Sequence, residues 1–338
     1  MGELLAATIK DVAMRARVST ASVSRVLNGS GAVTEPTRQR VLRAAQHLRY
    51  TPHEAARSLI TRRTRTIGVL LPDIHGEYFS ELIRGIDRAA RLRGLHLLVS
   101  SSHGDADEAA LALRAMNGRV DGVLVMSPYL DAQSLDDALP PTLPAVLLNS
   151  PENAGRAPAF AIDDFGGAKA MVDHLRALGY RRIAHIAGPE RNYESAERLR
   201  GFQAALGRTL AAKALVLPGN FTEESGYSAG QQLAAITPRP DAVFAANDMM
   251  AIGCLLALRE AGLRVPDDIA LAGFDDIPIA RYISPRLTTV RAQITELGRQ
   301  ALDELASTID APADAKPMRH TLGTQLVVRE SCGSLTRH

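Results

Sequence analysis

Val18-Ser-Thr-Ala-Ser-Val-Ser-Arg-Val-Leu-Asn28 is the stretch of this chain that decides the fold of its first domain. Ser19 is a residue type that caps helices, so a helix is predicted from the next position. At helical spacing its larger apolar residues face inward, whereas its small residues and its arginine face outward. The inward set is Val23, Val26 and Leu27, and the outward set is Thr20, Ala21, Ser22 and Arg25.

A second short helix is predicted just before this one. Thr8 and Asp11 have the spacing of an N-cap pair, and the break between the two helices, at Arg17 and Val18, is short. Two short helices joined by a tight turn are typical of a helix-turn-helix, whose second helix enters the DNA major groove. Arg25 is then placed to reach a phosphate or a guanine edge. Taken alone, the pattern also fits two helices that only pack in a core.

Charge is distributed unevenly along the chain. The first 65 of the 338 residues carry 12 Lys and Arg against 4 Asp and Glu, and the rest carry 27 against 33. A basic N-terminal module on an acidic body predicts that the module meets a polyanion such as DNA. A merely solvated basic surface explains the bias less well, because the bias ends at a predicted domain boundary.

Composition and motifs argue against several other classes of protein. The two cysteines, Cys254 and Cys332, do not make a disulfide framework, and Cys254 is expected in the core. We see no signal peptide and no apolar run of about 20 residues, so we expect a cytoplasmic protein without membrane contact. P-loop, HExxH, GxSxG, CxxC and GxGxxG motifs are absent. His96 and His103 are interpreted as ordinary polar residues, and we expect no catalytic residue, metal or cofactor.

A third helix and a linker complete the predicted N-terminal part. Thr34 is a candidate cap for a helix that packs on the first two. Thr51 and Glu54 form a capping box for a helix of only two turns. A helix this short is marginal in water without a partner to pack on. We predict a helix-turn-helix domain over residues 1–50 and a hinge helix with a basic linker over 51–65.

From Thr66 onward, apolar strand segments alternate with amphipathic helices, and the alternation restarts after about residue 160. This pattern predicts parallel sheets with helices on both faces, and its restart predicts two similar α/β lobes. We expect residues 66–330 to form a body for effector binding and dimerisation. Its N-lobe is expected over about 66–162 and 291–320, and its C-lobe over about 163–290 and 321–330.

Polar and aromatic residues gather where the predicted strands end, which is where open parallel sheets bind ligands. An aromatic ring can cover the apolar face of a sugar while Asp, Asn and Arg pair with its hydroxyls, so a polyhydroxylated ligand is predicted. Each residue also fits a helix cap or turn; we prefer a cap for Asp248 and ligand binding for Arg198 and Asp275. The set is Asp73, Ser127, Asn149, Asn192 to Arg198, Phe221, Asn247-Asp248 and Asp275-Asp276.

Motifs from one end of the chain to the other carry a family resemblance. They are Ile9-Lys-Asp-Val-Ala13, Val18 to Asn28, Arg57-Ser-Leu59, Thr66-Ile-Gly-Val-Leu-Leu-Pro-Asp73, Arg198-Leu-Arg-Gly-Phe202, Ala246-Asn-Asp248, Gly273-Phe-Asp-Asp276 and Pro285-Arg-Leu-Thr-Thr-Val290. On these motifs the chain resembles the LacI/GalR family of bacterial transcription regulators. The motifs are highly specific as a set.

The resemblance implies a homodimer that binds pseudo-palindromic operator DNA, with bodies similar to periplasmic sugar-binding proteins. It implies that Thr20, Ala21 and Arg25 read operator bases. It also implies that Leu59 wedges into the central minor-groove step. The full set expected to contact DNA is Thr8, Ser19, Thr20, Ala21, Ser22, Arg25, Asn28, Ala56 and Leu59.

The resemblance implies an effector pocket as well. Asn192 stands where the nucleobase-sensing branch has an arginine, which argues against a purine co-repressor. Ala292 stands where glutamine is frequent, which puts one effector contact in doubt. The expected effector-binding set is Asp73, Tyr78, Phe79, Ser127, Asn149, Asn192, Arg198, Phe221, Asn247 and Asp275.

We therefore expect a repressor of carbohydrate uptake or catabolism genes that a small sugar-like effector releases from its operator. A ligand that closes the lobes would shift and unfold the paired hinge helices and so lower the affinity for DNA. One alternative is a regulator that needs a co-repressor or a partner protein to bind DNA. Another is a sugar-binding transport protein, which would need a signal peptide and no basic head. A sugar-modifying enzyme is disfavoured, since no acid, base or nucleophile pattern is visible.

Overall fold

The computed structural model describes residues 7–28, 33–50, 63–126, 128–129, 137–150, 157–310 and 318–333. They belong to two units, Met1–Thr64 and Arg65–His338, which we call the head and the body. Among the described residues, no helix combines the length and the apolar character that a membrane crossing requires.

The described residues of the head form helices α1 (Ile9–Ala16), α2 (Thr20–Asn28) and α3 (Glu35–His47). Thr8 caps α1, as predicted. Its hydroxyl accepts a hydrogen bond from the Asp11 N–H, and the Asp11 carboxylate accepts one from the Thr8 N–H at 2.8 Å. Arg17 ends α1 with a left-handed backbone, φ 54°, so the chain reverses within three residues. Thr34 precedes α3, but its hydroxyl donates to the Thr37 hydroxyl at 3.1 Å and caps no backbone N–H.

The two faces predicted for α2 are present. Val23 and Val26 are buried in a core that includes Val12 and Val41, and Leu27 packs half-buried against it. The exposed residues are Thr20, Ala21 and Arg25. Ser22 is only half exposed, with its hydroxyl 3.0 Å from the Ser19 hydroxyl. The apolar periodicity of the sequence therefore determines which side of α2 remains available to a partner.

The body alternates strands and helices along its described residues. In chain order its elements are β1 (Thr66–Leu71), α4 (Glu77–Leu92), β2 (His96–Ser101), α5 (Ala106–Met116), β3 (Gly122–Met126), β4 (Ala145–Leu148), β5 (Ala159–Ile162), α6 (Asp164–Ala177), β6 (Ile183–Ile186), α7 (Tyr193–Leu206), α8 (Arg208–Ala211), β7 (Val216–Leu217), α9 (Glu223–Ala235), β8 (Ala242–Ala245), α10 (Asp248–Glu260), β9 (Ala270–Ala272), β10 (Thr289–Arg291), α11 (Ile294–Asp310), β11 (Arg319–Leu322) and β12 (Gln325–Val327). Short 3-10 turns lie at Pro278–Arg281 and Glu330–Cys332.

Two parallel sheets organise these elements, as the restart of the alternation predicts. The first has the strand order β11-β5-β4-β3-β1-β2 and the second the order β7-β6-β8-β9. The strand pairs within both sheets are parallel along the described residues; Val69, for example, lies opposite Val99 and Leu124. The inner strands are buried along their whole length because helices cover both faces of each sheet.

Three strands of the body are not predicted by the sequence. β5 is apolar but has only four residues, β10 has three, and β11 exposes three of its four side chains, so none shows the long apolar run of a typical buried strand. β11 nevertheless extends the first sheet beside β5, while β10 pairs with β12 in an antiparallel ribbon. The chain passes between the sheets next to Asp163, Gln293 and Gly323, and the Gln293 amide donates to the Gly323 carbonyl at 2.6 Å.

Glycines allow close helix packing in both halves of the body. A Cβ at Gly85 of α4 would collide with the Thr295 carbonyl of α11. A Cβ at Gly253 of α10 would collide with the Glu223 carbonyl of α9. These approaches bring the N-terminal ends of α9 and α10 together beside the ends of β6 and β8, where the main cavity lies.

Candidate DNA-binding surface and effector cavity

The exposed face of α2 is the candidate DNA-binding surface. Ala21 and Arg25 are one helical turn apart, and Thr20 lies beside them at the start of the helix. Ser19 caps α2, because its hydroxyl accepts the Ser22 N–H at 3.1 Å. Thr8 and Ser19 therefore position the two helices as well as being exposed.

Three further residues are expected to contact DNA: Asn28, Ala56 and Leu59. Asn28 is the last residue of α2. Ala56 and Leu59, together with the capping box expected at Thr51 and Glu54, lie outside the described residues. Their predicted roles at the operator stay predictions.

A cavity of about 460 Å³ lies at the carboxyl ends of the strands of both sheets. Its volume falls in the range of roughly 300–1,000 Å³ usual for small-molecule sites, and its position is the one expected for open parallel sheets. Most of the expected effector residues line it. They are Asp73, Tyr78, Phe79, Asn192, Arg198, Phe221, Asn247 and Asp275.

Arg198 is 3% exposed and lies in the second turn of α7, not at the end of a strand as we expected. Its Nε donates to Asp164 at 2.7 Å, and its Nη1 donates to the Ala246 carbonyl at 2.7 Å. Nη1 also lies 3.2 Å from Asp275 Oδ1. The guanidinium lies over the Phe274 ring, 3.9 Å from its centroid. Arg198 is thus mainly bound by protein groups, and only its Nη2 edge remains for a ligand.

The carboxylates around Arg198 share one buried environment. Burial raises the pKa of Glu194 to about 8, and the nearby negative charge of Asp164 adds to the increase. Burial also raises the pKa of Asp275 to about 7, against the opposing effect of the Arg198 charge. The pKa of Asp164 is raised by burial as well. Burial alone would lower the pKa of Arg198, but these carboxylates raise it above its usual value.

Asp275 has unusual geometry for a carboxylate that pairs with an arginine. It follows β9 at φ 111°, a backbone conformation that few side chains adopt. Its Oδ1 is at ion-pair distance from Arg198 but accepts no well-aligned hydrogen bond from a described residue. The carboxylate of Asp276, the next residue, instead pairs with Arg291 of β10 and with Arg329. The two aspartates therefore connect the cavity to the ribbon of β10 and β12.

Asn149 is behind the cavity and not on its surface. It is 1% exposed, and its Nδ2 donates to the Tyr78 hydroxyl at 2.7 Å and to Glu194 at 2.6 Å. Asn149 therefore positions two lining side chains and is not placed to contact a ligand itself. Ser127, which we also expected in the site, lies outside the described residues.

Two asparagines of the cavity are also helix caps. Asn192 accepts the Ser195 N–H at 2.9 Å and so caps α7. Asn247 accepts the Met250 N–H at 3.0 Å, while its Nδ2 donates to the Phe221 carbonyl. Asp248 does not cap α10, contrary to our expectation, because Asn247 takes that position. The Asp248 carboxylate is fully buried and accepts from the Ile277 N–H and the Thr289 hydroxyl.

The sequence interpretation missed several lining residues. Glu194 was predicted only as a member of the stretch from Asn192 to Arg198, because a glutamate in the first turn of a helix usually interacts favourably with the helix dipole. Its i, i+4 spacing to Arg198 was the available signal. His103, interpreted as an ordinary polar residue, lines the cavity and pairs with Glu108 at 2.6 Å. The other missed lining residues include His75, Tyr129, Asn220, Thr222, Glu223 and Met249.

Known proteins resemble this chain over nearly all of its length. The transcriptional regulator CelR of Thermobifida fusca is 36% identical, over 96% of this chain and 98% of that protein. The ribose operon repressor of Haemophilus influenzae is 34% identical, over 97% and 99%. The chain belongs to the LacI family of bacterial regulatory proteins.

Two sequence profiles agree with the division into head and body of this LacI-family regulator. That of bacterial regulatory proteins of the lacI family matches residues 8–53, and that of the periplasmic binding protein-like domain matches residues 172–332. The Lac repressor dimer bound to operator and the anti-inducer ONPF is similar, with a TM-score of 0.87 and 28% identity over 97% of this chain and 99% of that one. These relatives are transcription regulators, not enzymes.

Proposed function

We propose that this protein is a dimeric transcriptional repressor that binds a pseudo-palindromic operator and releases it when a sugar-like effector occupies the cavity. One observation carries the proposal: a helix-turn-helix with an exposed recognition face belongs to the same chain as a polar, aromatic-lined cavity. Its relatives include repressors. A protein with this role acts on DNA in the cytoplasm and has no enzymatic activity.

The exposed face of α2 supports the DNA-binding part of the proposal. Its small residues allow the helix to approach base edges closely, and Arg25 is long enough to reach a guanine or a phosphate. The surplus of positive charge within the first 65 residues favours the DNA backbone. A twofold dimer presents two such helices to two half-sites, which explains why the operator is proposed to be palindromic.

The lining of the cavity supports a polyhydroxylated effector. Phe79 and Phe221 provide apolar ring faces, while Asp275 and Glu194 provide carboxylates that can accept hydrogen bonds from hydroxyls. One structural neighbour is a complex of CelR with cellobiose, with a TM-score of 0.70 and 34% identity. Another, from Enterococcus faecium, is a LacI-family regulator with bound ribose. We assign the effector of this chain to the same broad class.

The ribbon of β10 and β12 offers a route by which the cavity could affect the rest of the body. Asp275 faces Arg198 in the cavity, and the adjacent Asp276 holds Arg291 of the ribbon at 2.7 Å. A ligand that binds better when the two lobes are closed would favour the closed state. We further propose that closure is communicated through the hinge, residues 51–65, to lower DNA affinity.

Footprinting of the full-length chain on genomic DNA tests the DNA-binding part. We expect two protected major-groove segments around a symmetric centre. Arg25→Ala should lower the specific affinity by about 10- to 100-fold, since one good contact to a base is worth roughly 1–3 kcal/mol. Arg91→Ala, an exposed arginine on α4, is the control and should change nothing. Equal operator affinity in the Arg25 variant and the parent would refute the assigned recognition face.

Sugars added to the same complex test the control by effector. Release of the operator supports a repressor with an inducer. Tighter operator binding in the presence of the sugar would instead indicate a co-repressor, which is the alternative within the same family.

A further inference from the structure

The charge of the cavity limits which compounds can be its effector. Four carboxylates line it, those of Asp73, Glu194, Glu223 and Asp275. Among the described lining residues, Arg198 is the only lysine or arginine. A phosphorylated or carboxylated sugar would therefore depend on Arg198 for charge compensation.

Arg198 is already neutralised by protein groups. Asp164 and Asp275 lie 2.7 Å and 3.2 Å from its guanidinium, and all three side chains are at least 96% buried. The Nη2 edge that faces the cavity has Glu194 at 4.0 Å. An anion at this edge would meet one arginine that already pairs with Asp164 and Asp275, and it would lie beside the carboxyl group of Glu194. Unlike charges attract strongly in a dry site, but like charges repel there just as strongly.

Helix N-termini are the other common anion sites in a fold of this kind. Around this cavity, the first turns of three helices are capped by side chains. Asn192 caps α7, Asn247 caps α10, and Thr222 caps α9 by accepting the Ser225 N–H. The side chains of Glu194 and Asp248 occupy the first turns of α7 and α10, and Glu223 adds a carboxylate to the first turn of α9.

The first turn of α4 and the two histidines do not change this balance. Gly76 precedes α4 and provides no side-chain cap, but Glu77 lies in the first turn of the helix. Glu108 raises the pKa of His103 through a hydrogen bond, and its carboxylate compensates the charge at 2.6 Å. His75 is exposed, and its backbone N–H donates to the Asp73 carboxylate at 3.0 Å.

From this arrangement we infer that the effector carries no anionic group: it is an uncharged polyhydroxyl compound or its amine derivative, and sugar phosphates and sugar acids are excluded. The inference rests on the proposed function, because it concerns the ligand of the same cavity. An anion buried without a free cation is strongly disfavoured, whereas hydroxyls and amines donate hydrogen bonds to carboxylates.

Calorimetry on the full-length protein with matched sets of compounds tests the inference. The sets are glucose, glucosamine, glucose 6-phosphate and gluconate; ribose and ribose 5-phosphate; and cellobiose and cellobionate. In at least one set the neutral sugar or the amine should bind, and its phosphate or acid should bind weaker by on the order of a hundredfold. A phosphate or acid that binds as tightly as its parent overturns the inference. So does a lack of binding by every neutral and amine compound.

Substitution of a carboxylate tests the cause of the exclusion. At pH 9, above the raised pKa values of both groups, Asp275→Asn and Glu194→Gln should each reduce the preference for the neutral sugar over its anionic counterpart by about tenfold. The ratio of the affinities for the neutral and the anionic compound is measured, because either variant also loses a contact to the hydroxyls of both compounds. Asp173→Asn, which removes the partly exposed partner of Lys169 on α6, is the control and should leave the ratio unchanged. An unchanged ratio in both cavity variants would overturn the inference.

Gel shifts with operator on the same samples separate this inference from the proposed function. An anionic compound that releases the operator would leave the repressor function standing and refute the exclusion of anions. A neutral compound that binds the cavity without affecting operator affinity would support the exclusion of anions and refute the control by effector.

Discussion

Arg198 has one positive charge, and three carboxylates approach it within 4.0 Å. A buried ion pair of this kind contributes little net stability, because desolvation offsets the attraction. Losing one partner is nevertheless costly, since the other charges stay buried without compensation. The contacts of Arg198 with Asp164 and the Ala246 carbonyl therefore make it a structural residue of α7 as well as part of the cavity.

Arg198→Ala should destabilise the body by about 3–5 kcal/mol, the usual cost of breaking a buried pair. Arg200→Ala provides the comparison two residues away, because Arg200 forms an exposed pair with Glu197 worth at most about 1 kcal/mol. Chemical denaturation of both variants measures the difference. Equal stability of the two variants would mean that Arg198 serves the ligand alone.

The titration of Glu194 should make the stability of the body depend on pH. Burial raises its pKa from 4.5 to about 8, so the folded protein keeps a proton that the unfolded chain has lost. This contribution to the free energy of unfolding is fully present below pH 4.5 and is lost as the pH rises through about 8. We expect the melting temperature to fall between pH 6 and 9, and to fall less in Glu194→Gln. A change of about 1 kcal/mol corresponds to roughly 2–4 °C in a domain of this size. If the melting temperature fell equally with pH in the parent and in Glu194→Gln, Glu194 would not be the group with the raised pKa.

At the level of elements, the helix pair α9 and α10 depends on the lack of a side chain at Gly253. A Cβ there would collide with the Glu223 carbonyl, a backbone atom that cannot rotate away. Gly253→Ala should therefore destabilise the body by about 1–3 kcal/mol, as overpacking does elsewhere. Gly323→Ala is the control, because nothing lies within 4 Å of the Cβ it would add. Thermal unfolding gives the melting temperatures of the two variants. Equal melting temperatures would contradict the close packing at Gly253.

The sequence predicts the long elements well and the short ones poorly. α9 runs from Glu223 to Ala235, a stretch for which the sequence pattern predicts a helix. β10 and β11 have three and four residues and depend on pairing with distant strands, a tertiary effect that leaves no local pattern.

The sequence also predicts only part of the candidate site. Phe221 and Asp275 were predicted because they follow strands, and both line the cavity. The place of Glu194 in the cavity and that of Asn149 behind Tyr78 depend on contacts between residues distant in the chain, such as the hydrogen bond from Asn149 to Glu194. The spacing of Glu194 to Arg198 indicates a shared helix face but not these contacts. Asn247 was predicted as a ligand residue, but its side chain is bonded to Met250 and Phe221.

At the level of the whole molecule, the cavity and the recognition helix belong to different units, the body and the head. A ligand can influence DNA binding only by favouring one state of the protein over another, and only by as much as its affinities for the two states differ. Linkage then requires that operator DNA lower the affinity for the ligand by the same factor by which the ligand lowers the affinity for the operator. The proposed repressor function depends on this coupling between effector binding and operator binding.

The measurement that tests the coupling most directly is the operator affinity of the full-length protein with and without a neutral sugar that calorimetry shows to bind. Our account predicts that saturating sugar weakens operator binding by about 5- to 150-fold, the usual range of coupling, and that operator DNA weakens the sugar by the same factor. An operator affinity that stays the same while the cavity is occupied would contradict it.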